Sequence, residues 1–129
     1  MKTLALLLAT LLPNISFAEE INYSDSENQP ISSYQQQGVA SWYGPGFAGH
    51  KTASGERFNP SHLTIAHRTL KLGTLVRVTN LRNHKSVIAK VTDRGPFHRG
   101  RIADLSASAA SAIGLKSSGT ARVLIVALG

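Results

Sequence analysis

Three runs rich in β-branched and other apolar residues limit what this chain can fold into. Residues 74–81 (TLVRVTNL) and 86–92 (SVIAKVT) read as strands separated by Arg82, Asn83, His84 and Lys85, the spacing of a hairpin. Residues 121–128 (ARVLIVAL) are apolar almost throughout, which predicts a strand buried on both faces. Shorter extended pieces are expected at 38–44, at 63–67 and ending in Asp104. In the first, Val39 and Ser41 should face one way and Ala40 and Trp42 the other; in the second, Leu63, Ile65 and His67 should share the inward face. A single small-residue helix over 106–113 fits the remainder, with Ser106 as its cap and Gly114 as its stop. Many short strands, one short helix and no α/β alternation predict an all-β chain closed into a small barrel.

The start of the chain reads differently. Lys2, the apolar run 4–12 and the ending Ser16, Phe17, Ala18 follow the order of a secretory signal peptide, so residues 1–18 are expected to be removed after Ala18. The run is too short to span a bilayer, and no stable membrane insertion is expected once it is gone. Residues 19–37 mix Ser, Asn, Gln and acids without an apolar period and are expected to form a flexible linker, leaving 38–129 as the folded domain. The sequence has no cysteine, so an exported fold of this kind must rely on its core. The protein is expected to be periplasmic or secreted, and a monomer.

Charge narrows the partners. The whole chain carries +7, but residues 38–129 hold 13 basic against 3 acidic residues, a net of +10. Such a field attracts anionic polymers. Export removes the chain from nucleic acid, which leaves an anionic cell-wall glycan or a membrane surface. The three acids after residue 37 are Glu56, Asp93 and Asp104. Any acid/base chemistry by carboxylates in this domain must use them. Asp93 and Asp104 stand at the two ends of one basic loop interrupted by Gly95, Pro96 and Gly100. Trp42 and Tyr43 lie beside a second Gly/Pro loop, where one is expected to pack into the core and the other to face a ligand. His67 falls at a strand end, as a packed core residue or a site residue. His50, His62, His67, His84 and His98 are scattered, with no cysteine and no two-histidine helical motif, so neither a metal nor another cofactor is expected.

Six blocks in order carry a family resemblance: GVASWYG at 38–44, TASGE at 52–56, TIAHRTL at 64–70, VRVTNL at 76–81, TDRGPF at 92–97 and RIADLS at 101–106. Together they resemble the rare lipoprotein A (RlpA) family of septal-ring lytic transglycosylases. The resemblance implies a six-stranded double-psi β-barrel with one or two short helices, the architecture also used by expansins and by membrane-bound lytic transglycosylase A. It implies endolytic cleavage of the MurNAc-β-1,4-GlcNAc bond in peptidoglycan glycan strands, preferably peptide-free, leaving 1,6-anhydroMurNAc ends. It also places catalytic weight on Glu56, His67 and Asp93, while the comparison with expansins and the membrane-bound enzyme adds Asp104. Proton transfer is assigned to Asp104 or Asp93, and Glu56 and His67 are expected to position the sugar or that carboxyl. Trp42, Tyr43, Arg94 and Arg99 are the expected substrate contacts. The chain lacks the family's lipobox cysteine and a repeat domain after the barrel, so outer-membrane anchoring and septal targeting are not carried over. Two rival readings remain: a non-catalytic, expansin-like module that grips wall glycan, and a hydrolase that places a water between Asp93 and Asp104.

Overall fold

The structure is a computed structural model that describes residues 34–128. The expected signal peptide, and the expected linker up to residue 33, lie outside the described residues. Six strands run in the order β1 (Gln35–Trp42), β2 (Thr64–Ala66), β3 (Leu75–Asn80), β4 (Ser86–Asp93), β5 (Arg101–Leu105) and β6 (Thr120–Leu128). A 3₁₀ turn at Pro45–Phe47 follows β1, and a helix, α1 (Ala107–Ala112), follows β5. The strands close into a barrel with neighbours β1-β5-β2-β4-β3-β6. Two of the pairs, β1 with β5 and β2 with β4, are parallel, and the rest are antiparallel. This is the double-psi β-barrel the motifs implied.

Alternation fills the interior. On β3, Val76, Val78 and Asn80 point inward while Leu75 and Arg77 are exposed. β6 corrects an expectation: Val123 and Ile125 are fully buried, but Leu124 and Val126 between them are only half-buried. A strand in a closed barrel has one face on the core and one on solvent, so its apolar composition did not mean two covered faces. Leu63 is a second correction. It lies before β2 and is exposed, so the inward line begins at Ile65 and continues through Ala66 to His67.

β1 differs in two ways. It begins at Gln35, not Gly38, because Gln35, Gln36 and Gln37 pair with Val126, Ile125 and Leu124 of β6. Backbone ladder bonds do not need apolar side chains, so a polar run adds to a sheet that already exists. The register also shifts between Val39 and Ala40. Such a bulge turns two consecutive residues the same way, and Ala40 and Ser41 are both buried where strict alternation would have separated them. Ser41 is thereby aimed at a neighbour on β5.

The helix is placed as its composition suggests. Ser106 caps it, accepting from the Ala109 N–H at 3.2 Å, and donates its own proton to the His62 carbonyl at 2.6 Å. Ala109 and Ala110 lie flat on the barrel, and Ile113 and Leu115 are fully buried. Asn80 and Asn83 donate to the Ile113 carbonyl at 2.8 and 3.0 Å, closing the helix end. Gly114 has φ +69°, the left-handed conformation that favours glycine, and a Cβ there would displace Asn83 Nδ2, 2.9 Å away. Among the described residues no helix is long and apolar enough to cross a membrane.

Candidate active site

Strand pairing brings the two aspartates together. Ala66 of β2 is in register with Asp104 of β5 on one side and with Asp93 of β4 on the other. Neighbouring strands lie about 4.8 Å apart, so two steps put the Asp93 and Asp104 backbones roughly 10 Å from each other. Both carboxylates line one open cleft of about 440 Å³, with Tyr43 at its side. Residues 94–98 form a wall of that cleft, and Asp93 itself is the last residue of β4, one residue beyond the strand expected from sequence.

The two carboxylates are held differently. Asp93 Oδ1 accepts from the backbone N–H groups of Ala53 at 3.0 Å and Arg94 at 2.9 Å, and Oδ2 accepts from the Tyr43 hydroxyl at 3.2 Å. Asp104 Oδ1 accepts a short hydrogen bond from the Ser41 hydroxyl, and that hydroxyl in turn accepts from Arg101 Nη1 at 3.4 Å. Among the described residues the Asp104 carboxylate has no other hydrogen-bond donor. Asp104 is itself a lining residue of the cleft.

Tyr43 is the aromatic that faces the site. Its ring packs 5.2 Å from Phe47 and 4.9 Å from Phe58 between centroids. Burial, then the negative charges of Asp93 and Asp104, raise its pKa strongly, so the phenol stays protonated and serves as a donor. Trp42 instead packs against the core with Lys116 Nζ 5.4 Å from its ring, outside the cleft lining. Of the two, only Tyr43 lines the cleft; Trp42, also expected as a substrate contact, is placed on the core instead.

His67 and Glu56 are not brought into the cleft lining. His67 is buried, 3% exposed. Its Nδ1 accepts from the backbone N–H groups of Thr69 and Leu70 at 3.2 and 3.1 Å. Nε2 therefore carries the proton and donates to Gln36 Oε1 at 2.8 Å, with the Tyr34 hydroxyl 3.1 Å away. Burial, then Arg68 and Arg94, lower its pKa and favour this neutral ring. The His67 backbone reaches the site: its N–H donates to the Asp93 carbonyl at 3.0 Å, and its carbonyl accepts from Arg94 Nη1 at 3.1 Å. Arg94 also donates to the Leu70 carbonyl at 2.6 Å. It lines the cleft with a guanidinium already engaged by backbone.

Glu56 is exposed and pairs with Lys90 Nζ at 3.0 Å. Its carbonyl accepts from the N–H and hydroxyl of Thr52 at 2.8 and 2.7 Å, shaping the turn from which Ala53 reaches Asp93. Lys90 lies on β4, the strand that ends in Asp93. Both residues thus touch the carboxylate's support. Arg99 is exposed on the 94–100 loop and does not line the cleft.

Sequence reasoning passed over Phe47, His50, Lys51, Phe97 and His98, all of which line the cleft. Their common signal was position, since each sits on one of the two loops broken by glycine and proline.

Fold and site together define a class: a small double-psi barrel carrying two unlike carboxylates in an open cleft with aromatic and cationic walls. More particularly, the chain belongs to the lytic transglycolase family, which matches residues 35–125. It is 62% identical over 88 residues to a probable endolytic peptidoglycan transglycosylase RlpA of Synechocystis, covering 68% of this chain and 27% of that protein. It is 53% identical over 92 residues to an endolytic peptidoglycan transglycosylase RlpA of Campylobacter jejuni, covering 71% and 34%. The chain therefore spans roughly a quarter to a third of these relatives' length. Among solved structures, the Streptomyces papain inhibitor superposes with a TM-score of 0.62 at 17% identity, covering 78% of this chain and all of that one. The Clavibacter michiganensis expansin gives 0.58 at 21% identity, covering 74% and 51%. At those identities the likeness is one of fold.

Proposed function

We propose that this protein is an endolytic peptidoglycan lytic transglycosylase that works outside the cytoplasm on glycan strands, preferably peptide-free. The observation that carries the reading is the asymmetry of the carboxylates: among the described residues Asp104 accepts only from Ser41, through Oδ1, while Asp93 is fixed by three donors. Family membership and the names of the relatives support the same activity.

In this mechanism Asp104 gives its proton to the glycosidic oxygen as the C1–O4 bond breaks. Positive charge develops at C1 and the ring oxygen, faced by the fixed Asp93 carboxylate. The C6 hydroxyl of the same sugar attacks C1, and its proton passes to Asp104. The 1,6-anhydro bond forms, Asp104 recovers its proton and no water is consumed. Ser41, polarised by Arg101, orients Asp104 throughout. Glu56 and His67 act on the Asp93 side as positioning residues.

The test is product analysis by mass spectrometry after incubation with peptide-free glycan strands. Anhydro-muramic ends support the reading, whereas ordinary reducing ends would make the protein a hydrolase. Binding without any cleavage would make it an expansin-like glycan module.

A further inference from the structure

Phe58 is buried at 7% exposure, but the other two phenylalanines of the described residues are not. Phe97 is 82% exposed and Phe47 49% exposed, on separate loops, and both line the carboxylate cleft. They are the only aromatic members of the exposed large hydrophobic set among the described residues. A phenylalanine left in water forgoes the stabilisation its burial would bring, and two converging on one cleft form an apolar surface for a ligand to cover.

Each ring also has a defined seat. Phe47 packs against Tyr43 and lies 6.0 Å from the His50 ring. Phe97 folds back over Gly95, where a Cβ would stand 3.5 Å from its Cε2. Gly95 has φ +118°, so a side chain at 95 is disfavoured by the backbone as well. The Phe97 ring thus rests in ordinary contact range of the Gly95 backbone, beside the cleft. Rigid aromatics contribute contact area with little loss of side-chain freedom on binding.

The ligand chemistry follows from the shape of the surface. A β-linked pyranose chair carries its hydroxyls around its equator and presents C–H groups on its two faces. Those faces match an aromatic ring, while the equatorial groups reach the polar residues of the cleft. We infer that Phe47 and Phe97 are sugar-ring platforms of this cleft, each covering the apolar face of a pyranose in the strand whose bond is held at Asp104. The inference rests on the lytic transglycosylase reading and adds the groups that hold its substrate.

Binding separates the two. In an Asp104→Asn background, which cannot cleave, affinity for peptide-free glycan strands is measured by titration calorimetry, with and without Phe97→Ala or Phe47→Ala. Each alanine is expected to weaken binding about tenfold, the effect of losing about 1.4 kcal/mol of contact. The loss should persist at high ionic strength, and Phe97→Trp should bind as tightly as its parent. Phe97→Ala should melt with the parent, because its side chain is largely in water. If the parent binds and both alanine variants bind equally well, the platforms are wrong and the lytic reading stands. If the Asp104→Asn parent does not bind glycan, both fall.

Discussion

The end of β4 and the end of β5 each deliver one carboxylate to the cleft, on either side of Ala66, but they are built in opposite ways. At the β4 end, Asp93 is enclosed by Tyr43, Ala53 and Arg94, and further contacts from His67 and Glu56 brace the same segment. At the β5 end, Asp104 leans on Ser41 alone among its described neighbours. A carboxylate held by three donors can offer fixed charge but leaves little room for a proton. One with an oxygen facing the substrate can give a proton and take it back. On the proposed mechanism, the first end holds and the second transfers.

Asp104→Asn should cause the largest loss. The amide keeps the shape and can still accept from Ser41, so melting should change little, while release of anhydro ends should fall by about 10²- to 10⁴-fold. Asp93→Ala should injure the structure and, by removing the charge that faces C1, lower turnover as well. It strands three donors, at about 1–3 kcal/mol for each left unsatisfied and buried, and for a domain of this size 1 kcal/mol is roughly 4–8 °C of melting temperature. Thermal melting and turnover on the same samples separate the two. Equal stability with abolished turnover at Asp93 would break the proposed division.

A smaller effect is expected with pH. His67 has its pKa lowered in the fold, so as pH falls below the ordinary histidine value of about 6.5 the unfolded chain takes up the proton first. Stability is therefore full above that pH and declines on acidification until the folded pKa is passed. Protonation of Nδ1 would also remove the acceptor for Thr69 and Leu70 and loosen the Asp93 end. Melting curves across this range should fall by several degrees in the wild type and more shallowly in His67→Gln. Identical slopes would remove His67 from the support of Asp93. Glu56→Gln should do least, because its pair with Lys90 is exposed and worth about 0–1 kcal/mol. A loss of turnover as deep as that of Asp104→Asn would instead put Glu56 on the substrate.

How much of this was legible depended on distance along the chain. The β3–β4 hairpin and the capped helix were readable because adjacent residues determine them. The scarcity of acids marked Asp93 and Asp104, and the strand-end position of His67 marked a buried histidine. A barrel was expected from sequence, but which residues close it was not. The pairing of Gln35, Gln36 and Gln37 with β6 uses backbone alone, and a polar run carries no periodic signal for it. Closure also decides that β6 has a single buried face. The bulge at Val39 and Ala40, which turns Ser41 toward Asp104, depends on a partner strand more than sixty residues away. Phe47 and Phe97 were overlooked for a related reason: loops around Gly and Pro show no period, so their aromatic residues acquire meaning only when folding sets both beside one cleft.

The central claim is that Asp104 transfers the proton and Asp93 holds the site. Both can be replaced by asparagine without changing shape, and the measurement is release of 1,6-anhydro ends from peptide-free glycan by Asp104→Asn and Asp93→Asn, matched for folded protein by circular dichroism. Release should disappear in Asp104→Asn and remain measurable in Asp93→Asn. The reverse order, with Asp104→Asn still cleaving and Asp93→Asn inactive, would contradict the assignment.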